Sequence, residues 1–139
     1  MFNMVIWAIV FVESSGNPKV VSSANAKGLM QVTSIGAAQV EQVYNWDCGD
    51  LFEPIHNLMC GKLLFSHYLE SENHSLRAAL VKYNGGGRAV RRWRAGKPYR
   101  ESRNYLRKVC GLVNCDIVLE SHLDTHTWIN QKNPFRRIP

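Results

Sequence analysis

"FNMVIWAIVFVESSGNP", Phe2–Pro18, decides the fold. From Phe2 to Val12 the only polar side chain is Asn3. A single carboxylic acid follows at Glu13, then the helix-breaking run Ser14, Ser15, Gly16, Asn17 and Pro18. A segment apolar nearly all round reads as a buried core helix. It is about half of the roughly 20 residues a membrane-spanning helix needs. No Lys or Arg precedes it and no A-x-A-like cleavage site follows, so it does not read as a signal peptide. The expectation is a mainly α chain, a compact helical domain built around this buried helix.

The rest of the chain fits that frame. Its 139 residues suit one domain with one core, and 45% hydrophobic with 20% charged residues excludes intrinsic disorder. No repeat, low-complexity tract or dividing linker interrupts it. The pattern predicts a helix from about Ser34 to Tyr44, with Ser34 as N-cap and Ile35, Ala38, Val40 and Val43 facing inward. Pro54 suits the first turn of a second helix whose apolar face is Ile55, Leu58, Met59, Leu63, Phe65 and Leu69. Ser75 can cap a short helix carrying Leu76, Ala79, Leu80 and Tyr83, which the "NGGG" run, Asn84–Gly87, should break. A further helix covers Glu101 to Cys110 with Tyr105, Leu106 and Val109 on its inner side. No segment shows sustained period-two alternation, so β-structure is limited to at most a short hairpin near Val20 to Val32.

Glu13 stands at the seam between the apolar helix and a Ser/Asn/Gly-rich loop. A carboxyl group in water titrates near pH 4.3 and is a poor proton donor at neutral pH. Set against apolar side chains, such a group holds its proton longer and can protonate a leaving oxygen, as in glycoside cleavage. Read alone, a glutamate at a helix end simply points into solvent, and the motifs downstream decide against that reading.

Those motifs are "ESSGNP" at Glu13–Pro18, "GLMQV" at Gly28–Val32, "YNGG" at Tyr83–Gly86 and "ESRNYLRKV" at Glu101–Val109. "YNGG" alone is uninformative, but four pieces in this order carry a strong signal. Together, over roughly Phe2 to Val109, they resemble the SLT-type lytic transglycosylase domain of glycoside hydrolase family 23, which shares its fold with goose-type lysozyme. The resemblance implies a lysozyme-like α+β fold and one catalytic domain over 1–139, with the motifs within 2–109 and a C-terminal extension at 116–139. It implies Glu13 as the single catalytic acid and Ser14 as support for the turn behind it. Ser22, Gln31, Tyr83, Asn84, Glu101 and Tyr105 are implied substrate-binding residues, the last two on a helix that packs behind the cleft. Val32, Thr33 and Ser34 depart from the Ile-Met-Pro that often follows the family's glutamine.

The implied function is a peptidoglycan lytic transglycosylase that cleaves the MurNAc-β-1,4-GlcNAc bond and leaves 1,6-anhydroMurNAc ends. One acid is evident where ordinary glycosidases use two. The alternative is a goose-type lysozyme that hydrolyses the same bond, with Asp47, Asp50 or Glu101 as a second carboxylate. The implied partner is the peptidoglycan glycan strand, acted on by a monomer without cofactor, metal or transmembrane segment. Such a module suits action in the periplasm or cell wall. It could be a bacteriophage virion component or an endolysin released by a holin.

Three features lie outside that set. Lys82, Arg88, Arg91, Arg92, Arg94, Lys97, Arg100, Arg103, Arg107 and Lys108 crowd one stretch, with Tyr83, Trp93, Tyr99 and Tyr105 interleaved. The chain's formal charge of +6 favours polyanionic partners. A basic patch with aromatics is compatible with nucleic acid, but it is permissive, and specific nucleic-acid binding is not expected. "HLDTH" puts His122, Asp124 and His126 at alternate positions, a weak metal pattern read as surface polarity. Cys48, Cys60, Cys110 and Cys115 permit three pairings; neighbour pairing and free buried thiols both remain open.

Overall fold

The computed structural model describes residues 1–119. Five helices follow one another: α1 (Phe2–Ser14), α2 (Ser34–Tyr44), α3 (Pro54–Ser71), α4 (Leu76–Arg94) and α5 (Arg100–Cys110). Among the described residues the β-structure is confined to isolated antiparallel bridges: Val21 with Lys27, Lys27 with Val32, and Ser75 with Val118. The mainly α expectation therefore holds, and the hairpin expected near Val20–Val32 is reduced to two bridges sharing Lys27. No described helix is long and apolar enough to cross a membrane.

The chain divides into two units, one formed by Met1–Val12 with the described residues from Phe65 on, the other by Glu13–Leu64. In the first unit α1 is buried along one side, not all round. Phe2, Val5, Ile6 and Ile9 are inside, whereas Met4, Trp7 and Phe11 are 60%, 60% and 63% exposed. Phe2 and Phe65 pack with ring centroids 6.3 Å apart, and Leu69, Leu76, Leu80, Val90, Leu106 and Val109 join the same core. Each fully buried side chain of this size stabilises the fold by about 1.5–3 kcal/mol.

Ser75 caps α4 as expected, its hydroxyl accepting the Ala78 N–H at 3.3 Å. The "NGGG" break is narrower than the sequence suggested. Only Gly86 leaves helical geometry (φ 82°, ψ −173°), and a second helical segment resumes at once and runs to Arg94. That left-handed, extended combination is open to glycine at little steric cost and produces the kink. α5 turns Ser102, Tyr105, Leu106 and Val109 inward. The chain then returns to the α3–α4 turn, where the Leu119 N–H donates to the His74 carbonyl at 3.1 Å.

In the second unit, α2 corrects the expected register. Thr33, not Ser34, is the N-cap; its hydroxyl accepts the Gly36 N–H at 3.0 Å. The buried side is Gly36, Val40 and Tyr44, while Ile35 and Val43 are 74% and 47% exposed. The reason is a close approach at Gly36: a Cβ there would lie 2.8 Å from Leu64 Cδ2 of α3. Glycine carries no hydrophobic signal, so a pattern of apolar residues alone selects the wrong face. On α3, Pro54 opens the helix as expected, but Ile55 is 54% exposed and the fully buried polar Asn57 takes an inward position.

The cysteines pair as neighbours, Cys48 with Cys60 and Cys110 with Cys115. Each bridge lies within one unit. By loop-closure entropy they contribute about 3 and about 2 kcal/mol respectively. Urea unfolding with and without reductant is expected to show a loss of that order, and an unchanged midpoint would mean that neither bridge constrains the unfolded chain.

Candidate active site

Glu13 is half-buried in the last turn of α1, one residue before the helix ends. The chain leaves the helix immediately, with Ser15 and Gly16 in the left-handed region at φ 53° and 81°. Ser14 is buried and holds this turn. Its hydroxyl accepts the Gly16 N–H at 3.2 Å, and its carbonyl accepts the Asn17 N–H at 3.0 Å. The supporting role expected of Ser14 is thus visible in its hydrogen bonds.

The loop that follows is tied to itself at short range. Lys27 and Val32 exchange both backbone hydrogen bonds at 3.0 Å, and the Gly28 N–H donates to Val20 O at 2.9 Å. Ser22 is half-buried and accepts the Ala26 N–H through its hydroxyl oxygen at 3.1 Å, which leaves the hydroxyl proton to donate elsewhere. Gln31 adopts φ 52°, uncommon for a residue with a side chain. Its Nε2 donates to Val20 O at 3.0 Å and to Gly28 O at 2.9 Å. Both amide protons therefore serve the loop, and Gln31 can meet a ligand only as an acceptor through Oε1.

One residue organises this loop that the sequence did not single out. Asn57 is 0% exposed. Its Oδ1 accepts the Met30 N–H at 2.7 Å, and its Nδ2 donates to Lys27 O at 2.7 Å and Leu51 O at 2.8 Å. Gly28 makes room for it. It sits at φ 76°, and a Cβ there would overlap Asn57 Nδ2 and Leu51 O. The signal available in the sequence was a polar residue on the apolar side of a helix, since buried polar groups are retained where they satisfy backbone.

The other candidates belong to the first unit. Tyr83 is half-buried and packs edge-on against Phe65 at 5.9 Å and Tyr68 at 6.4 Å. Asn84, next to it and two residues before the kink, has a buried Oδ1 with no hydrogen-bond partner among the described residues. An acceptor left so costs about 1–3 kcal/mol unless water or a ligand satisfies it. Glu101 is exposed in the first turn of α5, where a carboxylate favours the helix dipole. Tyr105 is 4% exposed and belongs to the core. Glu13, Ser22 and Gln31 thus share one unit, and Tyr83, Asn84, Glu101 and Tyr105 the other.

Two carboxylates that could serve a hydrolase have local duties. Asp47 accepts the Gly49 N–H at 3.0 Å, and Asp50 accepts the Phe52 N–H at 2.9 Å. Both are turn-stabilising contacts of the kind Asp makes two residues ahead. Among the described residues no group of three or more His, Cys, Asp or Glu is placed to hold a metal; "HLDTH" and the terminal "KNPFRRIP" lie outside them.

Residues 2–106 match the model of the transglycosylase SLT domain, and the chain belongs to that family. It is 30% identical over 118 residues to a putative soluble lytic murein transglycosylase of Haemophilus influenzae, covering 73% of this chain and 20% of that protein. The fold is similar to that of the 70 kDa soluble lytic transglycosylase Slt70 of Escherichia coli, with a TM-score of 0.72 and 25% identity, over 78% of this chain and 20% of the other. It is also similar to an inactive mutant of the lytic transglycosylase Slt of Pseudomonas aeruginosa, with a TM-score of 0.71 and 23% identity over the same shares. The chain spans about one fifth of the length of these relatives.

Proposed function

We propose that this chain is a peptidoglycan lytic transglycosylase acting on the MurNAc-β-1,4-GlcNAc bond. The observation that carries the reading is the family match across residues 2–106, which includes Glu13. The half-buried place of Glu13 at the end of α1 supports its role as the acid. Glu13 protonates the glycosidic oxygen, and the C1–O bond breaks. The acetamido oxygen of MurNAc closes on C1 as an oxazolinium, which replaces the second carboxylate of ordinary glycosidases. Glu13, now ionised, takes the proton of the MurNAc 6-hydroxyl, whose oxygen attacks C1 and expels the acetamido oxygen. The product is a 1,6-anhydro sugar, no water is consumed, and Glu13 ends protonated as it began.

Ser22, through its hydroxyl proton, and Gln31, through Oε1, are assigned to sugar contacts, as are Tyr83 and the unpartnered Oδ1 of Asn84. Glu101 and Tyr105, on α5 in the same unit as Tyr83 and Asn84, are assigned to substrate binding as well. The hydrolytic alternative needs a second carboxylate as general base for water; Asp47 and Asp50 each hold a turn N–H, and Glu101 is exposed in the other unit from Glu13. Two disulfides favour an oxidising compartment. The reading therefore places the action outside the cytoplasm, in the periplasm or wall, whether delivered in a virion, through a holin or by a bacterial route.

Mass spectrometry of the muropeptides released from purified sacculi tests the reaction. Products lighter by one water than the reducing-end sugars are expected. Reducing ends alone would replace transglycosylation with hydrolysis, and no release at all would remove the enzymatic reading.

A further inference from the structure

The Lys and Arg side chains of α4 and α5 have no part in the chemistry above. Residues 82–110 carry ten Lys and Arg against one acidic residue, Glu101, a charge of +9; the remaining residues hold seven Lys and Arg against ten Asp and Glu, a charge of −3. The positive charge of the whole chain is therefore the property of one segment, α4 and α5. Lys82 and Arg94 are paired with Glu72 at 3.3 and 3.0 Å. Arg88, Arg91 and Arg92 on α4 and Arg100, Arg103 and Arg107 on α5 are exposed, and no ion pair engages them among the described residues.

Their arrangement is costly for the fold by itself. Arg100, Arg103 and Arg107 recur at i, i+3 and i+7, away from the buried side formed by Ser102, Tyr105, Leu106 and Val109. Like charges at these spacings oppose helix formation. Arg100 also sits in the first turn, at the positive end of the helix dipole. An anionic partner laid along this side would reverse both effects.

The aromatics separate the possible partners. Sequence-tolerant binding of single-stranded nucleic acid needs open rings on which bases stack. Here one face of the Tyr99 ring already carries the Arg92 guanidinium at 4.5 Å, and the half-buried Trp93 is approached by that of Arg94 at 6.0 Å. Tyr105 is buried, and Tyr83 is packed on Phe65 and Tyr68. The six exposed arginines present guanidinium forks, the donor geometry that takes carboxylates two hydrogen bonds at a time.

We propose that the exposed arginine side of α4–α5 binds the free carboxylates of peptidoglycan stem peptides and holds the enzyme on the wall between cleavage events. This rests on the function proposed above, and the experiment separates the two. The catalytically silent Glu13→Gln protein is sedimented with purified sacculi freed of other polymers, over a series of salt concentrations. Parallel arms use sacculi whose carboxylates have been amidated, and duplex DNA. Binding that weakens with salt, and is about tenfold weaker to amidated sacculi, is expected. Arg100→Gln/Arg103→Gln/Arg107→Gln should lose about as much, the corresponding triple Lys variant, which keeps the charge but not the forks, should recover only part of the binding, and cleavage of glycan strands stripped of peptides should not change.

Equal binding to native and amidated sacculi overturns the proposal, and that arm needs no arginine variant to fold. So does tighter retention on DNA than on sacculi at the same salt. Failure of the unmutated enzyme to cleave peptide-free strands would instead strike the proposed reaction, leaving the binding result to be read independently.

Discussion

Glu13→Gln is expected to abolish release of muropeptides from sacculi, lowering the rate by at least about 100-fold, while leaving the fold intact. A positioned general acid contributes about 10²–10⁴ to a rate. In the proposed cycle Glu13 acts twice, first giving a proton to the glycosidic oxygen and then taking one from the 6-hydroxyl. Glutamine preserves the shape and a hydrogen-bonding head but does neither. The side chain is half-buried at the end of α1 and outside the fully buried cores. Because glutamine keeps the volume and a hydrogen-bonding head, the protein should stay folded, with melting shifted by no more than about 1 kcal/mol equivalent. Turbidity clearance and product chromatography read the first effect, and circular dichroism the second. Retention of more than a few per cent of activity by a folded Glu13→Gln protein would exclude Glu13 as the catalytic acid.

The second large effect is expected at Asn57, which takes no part in the proposed proton transfers. Asn57→Asp keeps size and shape. It also keeps the acceptor for the Met30 N–H, but it loses both donors and sets a carboxylate against the carbonyls of Lys27 and Leu51. Asn57→Ala instead removes three hydrogen bonds to the backbone, although Lys27 O still accepts the Val32 N–H. Each buried hydrogen bond so lost costs about 1–3 kcal/mol, and a buried carboxylate set against two carbonyls costs more. Both variants are expected to lose at least about 3 kcal/mol in urea unfolding, with the isosteric Asp no milder than Ala. Because Asn57 holds Lys27 and Met30, which flank Gly28 and Gln31, activity should fall with stability. A loss below about 1 kcal/mol for either variant would mean that the loop is held by other contacts.

These two residues were unequally legible. Glu13 could be found because its motif is local: an acid at the end of an apolar run, followed by residues that stop a helix. Asn57 offered only the weak signal of a polar residue on an apolar helix side, and its role stayed hidden because its partners Met30 and Lys27 lie 27 and 30 positions away along the chain. The same limit explains α2. Periodicity chose Ile35 and Val43 as inward, yet the contact with α3 is made through Gly36, a residue whose value is its lack of a side chain. The "NGGG" run was read correctly as a break, but its extent depended on which glycine leaves helical geometry, and only Gly86 does.

Composition and local pattern determined that the chain is helical, which acid stands at the end of the first helix and how unevenly the charge is spread. Those properties depend on neighbours within a few residues, and the sequence states such neighbours directly. Tertiary structure decided that the cysteines pair 48 with 60 and 110 with 115, that Asn57 and Gly28 build the "GLMQ" turn, that both Gln31 amide protons are committed to the loop, and that arginine covers one face of the Tyr99 ring. Each of these depends on which distant groups come within a few ångströms of one another, a condition set by packing and by the need of buried polar atoms for partners.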